Sequence, residues 1–302
     1  MASITDLGDF FNTPKPHQEN VDLAARFFEH LTTWLVDDYP KLQKEREAGL
    51  HASSLWKTCA RQHVLVAAHK INTKEKFEAG SYLTFDIGHA MHHWWQNNYL
   101  GPMQVLHGNW HCKRCDKITF TGLQPEVCPA CKANRREVLD YSELPVRDEE
   151  MRFVGHCDGV LHLGDFKAVF EFKTASPSEY DKLTQPKLQH MVQAHAYMHG
   201  LKLQHTLVVY LNKGSQCEWK KDANGWQAGR PKVKVFHVKF DAVYWQNYVK
   251  RCKDHKTADD LVRSLPVVTP EHALKFERIC AHQRSPLAED CDVAAQCFST
   301  KT

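Results

Sequence analysis

Apolar and polar positions alternate between two periods along this chain. Leu23, Phe27, Phe28, Leu31, Trp34 and Leu35 recur at helical spacing from Asn20, a capping residue, until Pro40 closes the segment. Pro14 and Pro16 oppose helix, so residues 1–19 read as an irregular arm. Helical patterns follow from residue 59 through 68 and over 86–95. Residues 152–173 instead read as two short strands joined at Gly164-Asp165, with Gly at the first central position of a two-residue turn. Ser176-Pro177 is a helix-start signal, and a helix over about 186–199 carries Gln189, Gln193 and Tyr197 on one face. Residues 206–211 form a buried-type strand and 232–240 a half-exposed one. A hydrophilic hairpin containing Gly214, Gly225 and Gly229 joins them, and a helix over 241–259 follows.

Counting outward from the Gly164-Asp165 turn places Leu163 opposite Phe166, Val160 opposite Val169 and Asp158 opposite Glu171. Alternation puts Lys173 on the face of Glu171 and turns Ala168, Phe170 and Phe172 the other way, into a core. Charged strand residues are ordinarily solvated. Like charges directly opposed destabilise a sheet pair, however, and a divalent cation between the carboxylates supplies a reason for them.

The 302 residues, 42% of them hydrophobic, allow one large domain or two small ones with a core. A net charge of +3 and a pI near 8.2 exclude an argument for nucleic-acid binding from charge alone; a local groove is needed. The first twenty residues carry neither a basic nor an apolar leader region, and no run approaches a membrane span. The expected location is the cytoplasm (the host cytoplasm if viral), or the nucleus where there is one. In a reducing compartment eleven cysteines point to metal rather than disulfides.

Cys112-x2-Cys115, a spacer of twelve and Cys128-x2-Cys131 make two knuckles that complete a closed tetrahedral site, the signature of structural zinc. Residues 108–140 therefore read as a zinc-ribbon insertion. Lys113, Arg114, Lys117, Lys132, Arg135 and Arg136 make it basic, which suits either a solvated face or a DNA contact. Four cysteines remain at the two ends of the chain, Cys59 in Ser-x-Leu-x3-Cys-x-Arg and then Cys280, Cys291 and Cys297.

Gly-x-x-Asp-Gly at 155–159, Glu-Phe-Lys at 171–173, Gln-x3-Tyr at 193–197 and Gly-x3-His at 88–92 together resemble the PD-(D/E)xK nuclease superfamily. The likeness is to its RecB-like branch, which includes AddB-type, CRISPR-adaptation and phage exonucleases that hold an iron-sulfur cluster. It implies a restriction-endonuclease-like α/β core, a mixed sheet flanked by helices, and Mg2+- or Mn2+-dependent hydrolysis of DNA in recombination, repair or replication. It further implies that His92, Asp158, Glu171 and the carbonyl of Phe172 hold the ion, while Lys173, Gln193 and Tyr197 act beside it. Cys59, Cys280, Cys291 and Cys297 would hold a 4Fe-4S cluster, although the x10 interval after Cys280 is longer than the family's and leaves Cys252 as a substitute. The divisions expected are an arm and helix over 1–50, nuclease core over 51–107 and 141–255, the ribbon over 108–140, and a cysteine tail over 256–302. Partners implied are DNA ends, single-stranded or duplex, and a recombination or replication protein, with no membrane. The competing classes are a catalytically silent DNA-end-binding or recombination-partner module stapled by the same metals, and a zinc-ribbon accessory factor. Intact Asp, Glu and Lys favour the enzyme, and a divalent-dependent cleavage assay separates them.

Overall fold

The computed structural model describes residues 18–42, 49–72, 77–134, 138–214, 217–222, 225–231 and 233–299. Most of the arm expected over 1–19, together with Arg135, Arg136 and Lys232, lies outside the described residues. The chain divides into two compact units, one comprising 1–46 and 75–87, the other 47–74 and 88–302.

In the first unit, helix α1 (Gln18–Asp37) is followed by the short α2 (Tyr39–Leu42). Tyr39 donates to the Asp86 carboxylate at 2.7 Å and packs edge-on against Tyr82. Phe27 and Phe28 are exposed.

The second unit is built on two sheets. Strands β1 (Leu50–His51), β5 (Leu144–Asp148) and β6 (Phe153–Cys157) form the smaller, in the order β1-β6-β5. The larger contains β2 (Leu106–Cys112), β3 (Lys117–Leu123), β4 (Leu139–Ser142), β7 (Gly159–Leu163), β8 (Phe166–Ala175), β9 (His205–Asn212) and β12 (Val233–Lys239). Its order is β12-β9-β8-β7-β2-β3, with β4 also on β2; β8 and β9 are parallel and the rest antiparallel. β10 (Cys217–Asp222) and β11 (Gly225–Pro231) form the expected hairpin between β9 and β12. Strand β3 lies within the segment read as a ribbon insertion, 108–140, and β2 and β4 cross its two ends; β2 pairs with β7 through Leu106 and His107, just before that segment.

Helices α3 (Ala60–His69), α4 (Ala79–Trp95), α5 (Pro177–Lys182), α6 (Leu188–Leu201), α7 (Ala242–Ser264), α8 (Pro286–Glu289) and α9 (Ala294–Ser299) complete the chain. The crossover between the parallel strands β8 and β9 is α5 plus α6, as parallel pairing requires. Asp241 caps α7 by accepting from the amides of Val243 and Tyr244, so that helix starts where the sequence places it. Among the described residues no helix is long and apolar enough to cross a membrane.

The register of β7 on β8 matches the count from the turn: Leu163 pairs with Phe166 and Val160 with Val169. The expected pairing of Asp158 with Glu171 does not follow, because the ladder ends at Gly159–Phe170 and Asp158 sits at a bend. Both faces of β8 are also covered, where one was expected to be. Phe170 and Phe172 join a cluster with Leu106, Trp110 and Leu161, while Val169 packs in another with Val192, Tyr197 and Met198 of α6.

Two glycines explain the Gly-x-x-Asp-Gly spacing. A Cβ on Gly155 would lie 2.8 Å from the Tyr197 ring and 2.9 Å from the Ala52 Cβ, so the strand accepts α6 only without a side chain there. Gly159 has φ +156 and would meet Leu106 at 2.4 Å. Glycines thus stand on both sides of the bend that carries Asp158.

Candidate active site and its cysteine clamps

The chain passes between the two sheets at neighbouring points. It leaves the large sheet after β4 and enters the small one at β5, with Glu143 as the single residue between them. It returns from β6 to β7 with Asp158 as the single residue between. Since β5 and β6 pair antiparallel with Leu144 opposite Cys157, the next positions outward are Glu143 and Asp158. Asp158 therefore does face an acid, but that acid is Glu143.

Helix α4 brings His92 to the same point. His92, Glu143 and Asp158 each offer a ligand atom within 4.8 Å of the others, with His92 Nδ1 3.2 Å from Asp158 Oδ1. The other oxygen, Oδ2, accepts the Phe172 amide at 2.7 Å. A strand residue directs its amide and carbonyl to the same side, so the Phe172 carbonyl faces Asp158 as well. The Phe172 ring packs edge-on against His92, 5.1 Å between centroids, and fixes the imidazole from below.

Glu171 is 1% exposed. One of its oxygens takes the Lys173 ammonium; the other, Oε2, is buried without a hydrogen-bond partner. Glu171 stands outside the group that His92, Glu143 and Asp158 form within 4.8 Å, but interacts electrostatically with Asp158 and His92. An imidazole and two carboxylates with an orphaned carboxylate oxygen near them fit a divalent cation. Lys173 lies opposite Tyr210 across the β8–β9 ladder. The Tyr210 hydroxyl is 2.5 Å from His190 Nδ1, and burial with the nearby Lys173 and Lys187 charges pushes His190 down to about 3, so it is neutral.

The local charges depart from their ordinary values. Burial, with the Asp158 charge added, raises Glu143 to about 7, and burial raises Glu171 to about 7 despite Lys173. Burial works against charge on Asp158 too, but His92, Lys173 and the Phe172 amide outweigh it and hold it below its usual range. Lys173 and His92 are each opposed by burial, yet the facing carboxylates raise both, Lys173 to about 12.

Gln193 and Tyr197 are buried beneath this cluster. Gln193 donates to the Tyr197 hydroxyl at 3.1 Å, and that hydroxyl donates to the His156 carbonyl at 2.8 Å. They hold the end of β6 against α6, so their contacts run to the strand that delivers Asp158 and not to Lys173. Glu143 escaped the sequence reading. Its only local signal is an acid set between buried Tyr141 and Val146, and its partners lie on distant segments.

The two cysteine quartets differ in how closely they gather. Cys112 and Cys131 sulfurs are 3.6 Å apart and those of Cys115 and Cys128 are 3.8 Å apart. Zn–S bonds of about 2.3 Å in a tetrahedron set the sulfurs about 3.8 Å apart, so this quartet fits one zinc ion. Cys59, Cys280, Cys291 and Cys297 line a single cavity, and all four are free thiols. Among the described residues they do not form a group of three within 4.8 Å, so they stand too far apart for one ion. Cys252 is buried in the core around Trp245 and Tyr248, away from that cavity.

No family model and no curated protein matches the chain. Among solved structures it is similar to an alkaline exonuclease from Laribacter hongkongensis, at 11% identity over 82% of this chain and 98% of that one, with a TM-score of 0.41. The same exonuclease in complex with dAMP gives 10% identity, the same coverage and a TM-score of 0.41. A phage related exonuclease from Haemophilus somnus 129PT gives 10% identity over 72% of this chain and 97% of that one, with a TM-score of 0.35.

Carboxyls raised above their ordinary 4.5 stabilise the fold only while protonated. That contribution is complete below about pH 4.5 and lost as the pH rises through about 7, whereas the contribution of the lowered Asp158 is fully present above its ordinary 3.8 and does not change over this range. The metal-free protein therefore melts lower at about pH 8 than at about pH 5.5 through these groups, and Mn2+ raises the melting temperature more at the higher pH. An equal rise at both pH values, measured by calorimetry, would contradict the assignment.

Proposed function

We propose that the chain is a divalent-metal-dependent deoxyribonuclease, hydrolysing phosphodiester bonds in DNA as an exonuclease of recombination, repair or replication. The observation that carries this reading is the buried, partnerless Glu171 Oε2 beside the His92, Glu143 and Asp158 cluster, with a charged lysine on the same carboxylate. Burying Asp158 and Glu171 beside a half-buried Glu143 without a cation costs several kcal/mol per unpaired charge. An apolar core would avoid that cost, so the arrangement makes sense as a site.

His92, Asp158, Glu171 and the Phe172 carbonyl would hold Mg2+ or Mn2+, with Glu143 as an added acid. The ion, when bound, polarises a phosphate oxygen and lowers the pKa of a bound water. Lys173, kept protonated by its two carboxylate neighbours, neutralises charge on the phosphate as it builds and orients the water. Glu143, raised by burial and the Asp158 charge, would give up its proton to take the ion beside His92 and Asp158. His190, neutral and turned toward Tyr210, adds no charge to the pocket.

The two cysteine sites support a reading as staples. Zinc in the Cys112, Cys115, Cys128 and Cys131 site would fix β2 and β3, which carry the neighbours of β7. A 4Fe-4S cluster on Cys59, Cys280, Cys291 and Cys297 suits wider sulfur spacing and ties α3 to the last turns of the chain. Cys59 is also the cap of α3, its sulfur accepting the Gln62 amide at 3.4 Å, so a bound thiolate would stabilise the helix start.

Asp158→Ala protein is expected to lose divalent-dependent cleavage of linear DNA by more than about 100-fold, since even an outer-sphere partner of a metal costs 10–100-fold. Unchanged cleavage by Asp158→Ala in a Mg2+ or Mn2+ assay would overturn the site assignment, and no cleavage by the parent protein would leave a binding module. Anaerobically purified protein is expected to be brown with one zinc per chain, and Cys280→Ser should bleach it while Cys252→Ser leaves the colour. A colourless protein with two zincs would remove the cluster.

A further inference from the structure

Residues Gln96–Leu100, directly after α4, form a π-helical turn in which the Gly101 amide bonds the Gln96 carbonyl at 2.9 Å, five residues back. π-turns cost helix geometry and are found mostly at functional sites. This one turns two consecutive amide side chains toward the two sheet crossings. Gln96, 4% exposed, donates from Nε2 to the Asp158 carbonyl at 3.0 Å. Asn97 accepts the Tyr141 amide on Oδ1 at 2.7 Å, two residues ahead of Glu143, and is itself held by donating to the His93 carbonyl at 2.9 Å.

We infer that Gln96 and Asn97 are positioning residues that set the separation of the three cation ligands His92, Asp158 and Glu143. One helix and its π-turn touch all three: His92 lies on the Asp158 carboxylate, Gln96 on the Asp158 backbone, and Asn97 on the strand that delivers Glu143. The geometric need is specific. Asp158 and Glu143 stand at the mouth of the β5–β6 ladder, beyond its last pair, so no ladder hydrogen bond fixes how far apart they lie. Two opposed carboxylates in that position repel and would splay the mouth. Gln96 and Asn97 hold each side of it from the same rigid element. This inference rests on the nuclease reading, in which these residues bind a divalent ion.

The test measures Mn2+ dissociation constants on full-length protein by titration calorimetry. Gln96→Met, which removes the donor at similar volume, is expected to weaken Mn2+ about 10–100-fold, the usual cost of losing a partner outside the ligands themselves. Asn97→Leu should weaken it in the same direction, and Asn97→Asp, which keeps the acceptor for Tyr141 but loses the donor to His93, should weaken it less. Zinc content should stay unchanged throughout, and excess Mn2+ should restore the cleavage rate of Gln96→Met, which damage to the fold would not allow. Should Gln96→Met misfold, the partly exposed Asn97 pair carries the test alone. Asp158→Asn is measured alongside. Loss of affinity in Asp158→Asn with parent affinity in Gln96→Met and Asn97→Leu overturns the inference and leaves the nuclease reading standing. Parent affinity in Asp158→Asn removes the cation site, and the positioning role with it.

Discussion

The second unit depends on the burial of negative charge where the chain crosses between its sheets. Asp158 and Glu171 are 5% and 1% exposed, and Glu143 faces Asp158 across the mouth of the β5–β6 ladder. Burial, with the Asp158 charge added, raises the proton affinity of Glu143 and Glu171 to near 7. Everything around them offers compensation: the Phe172 amide, the His92 imidazole, the Lys173 ammonium and the Gln96 amide. What these groups leave unmet is the Glu171 Oε2 atom, and a cation is the partner of the right charge.

Glycine makes the crossing feasible. Gly155 admits the Tyr197 ring and Gly159 takes a backbone conformation closed to other residues, so the strand can bend between them and turn Asp158 inward. Tyr197 and Gln193 then lock the end of β6 to α6 through the His156 carbonyl. The motif spacing that looks like a string of catalytic residues is in part a packing device, with the conformation of Asp158 as its product.

Much of this was legible in the sequence because it rests on local rules. The Gly164-Asp165 turn defines its own register, and counting from it gave the β7–β8 ladder as far as Gly159. Cysteine spacing gave the four-sulfur site, and the fold brings its two knuckles to 3.6 and 3.8 Å of each other. The count failed one residue later because strand pairing was assumed to continue through Asp158, whereas the chain changes sheets there. Glu143 was missed for the same reason: its position is set by β5 pairing with β6, a contact that no local pattern announces. Cys280 could be placed beside Cys291 and Cys297 only once the last turns were seen to fold back over α3, where Ala273, Phe276 and Val293 pack on Val64 and Leu65. A ten-residue interval carries no such information.

The central claim is that Asp158, its acidic neighbours and His92 bind a divalent ion, and His92 gives it the most direct signature. Electron spin-echo spectroscopy of the Mn2+-loaded protein should show one directly bound imidazole nitrogen, and the nitrogen modulation should vanish in His92→Ala while the four-cysteine site keeps its zinc. Mn2+ bound without nitrogen coupling, or a coupling that survives His92→Ala, would contradict the account.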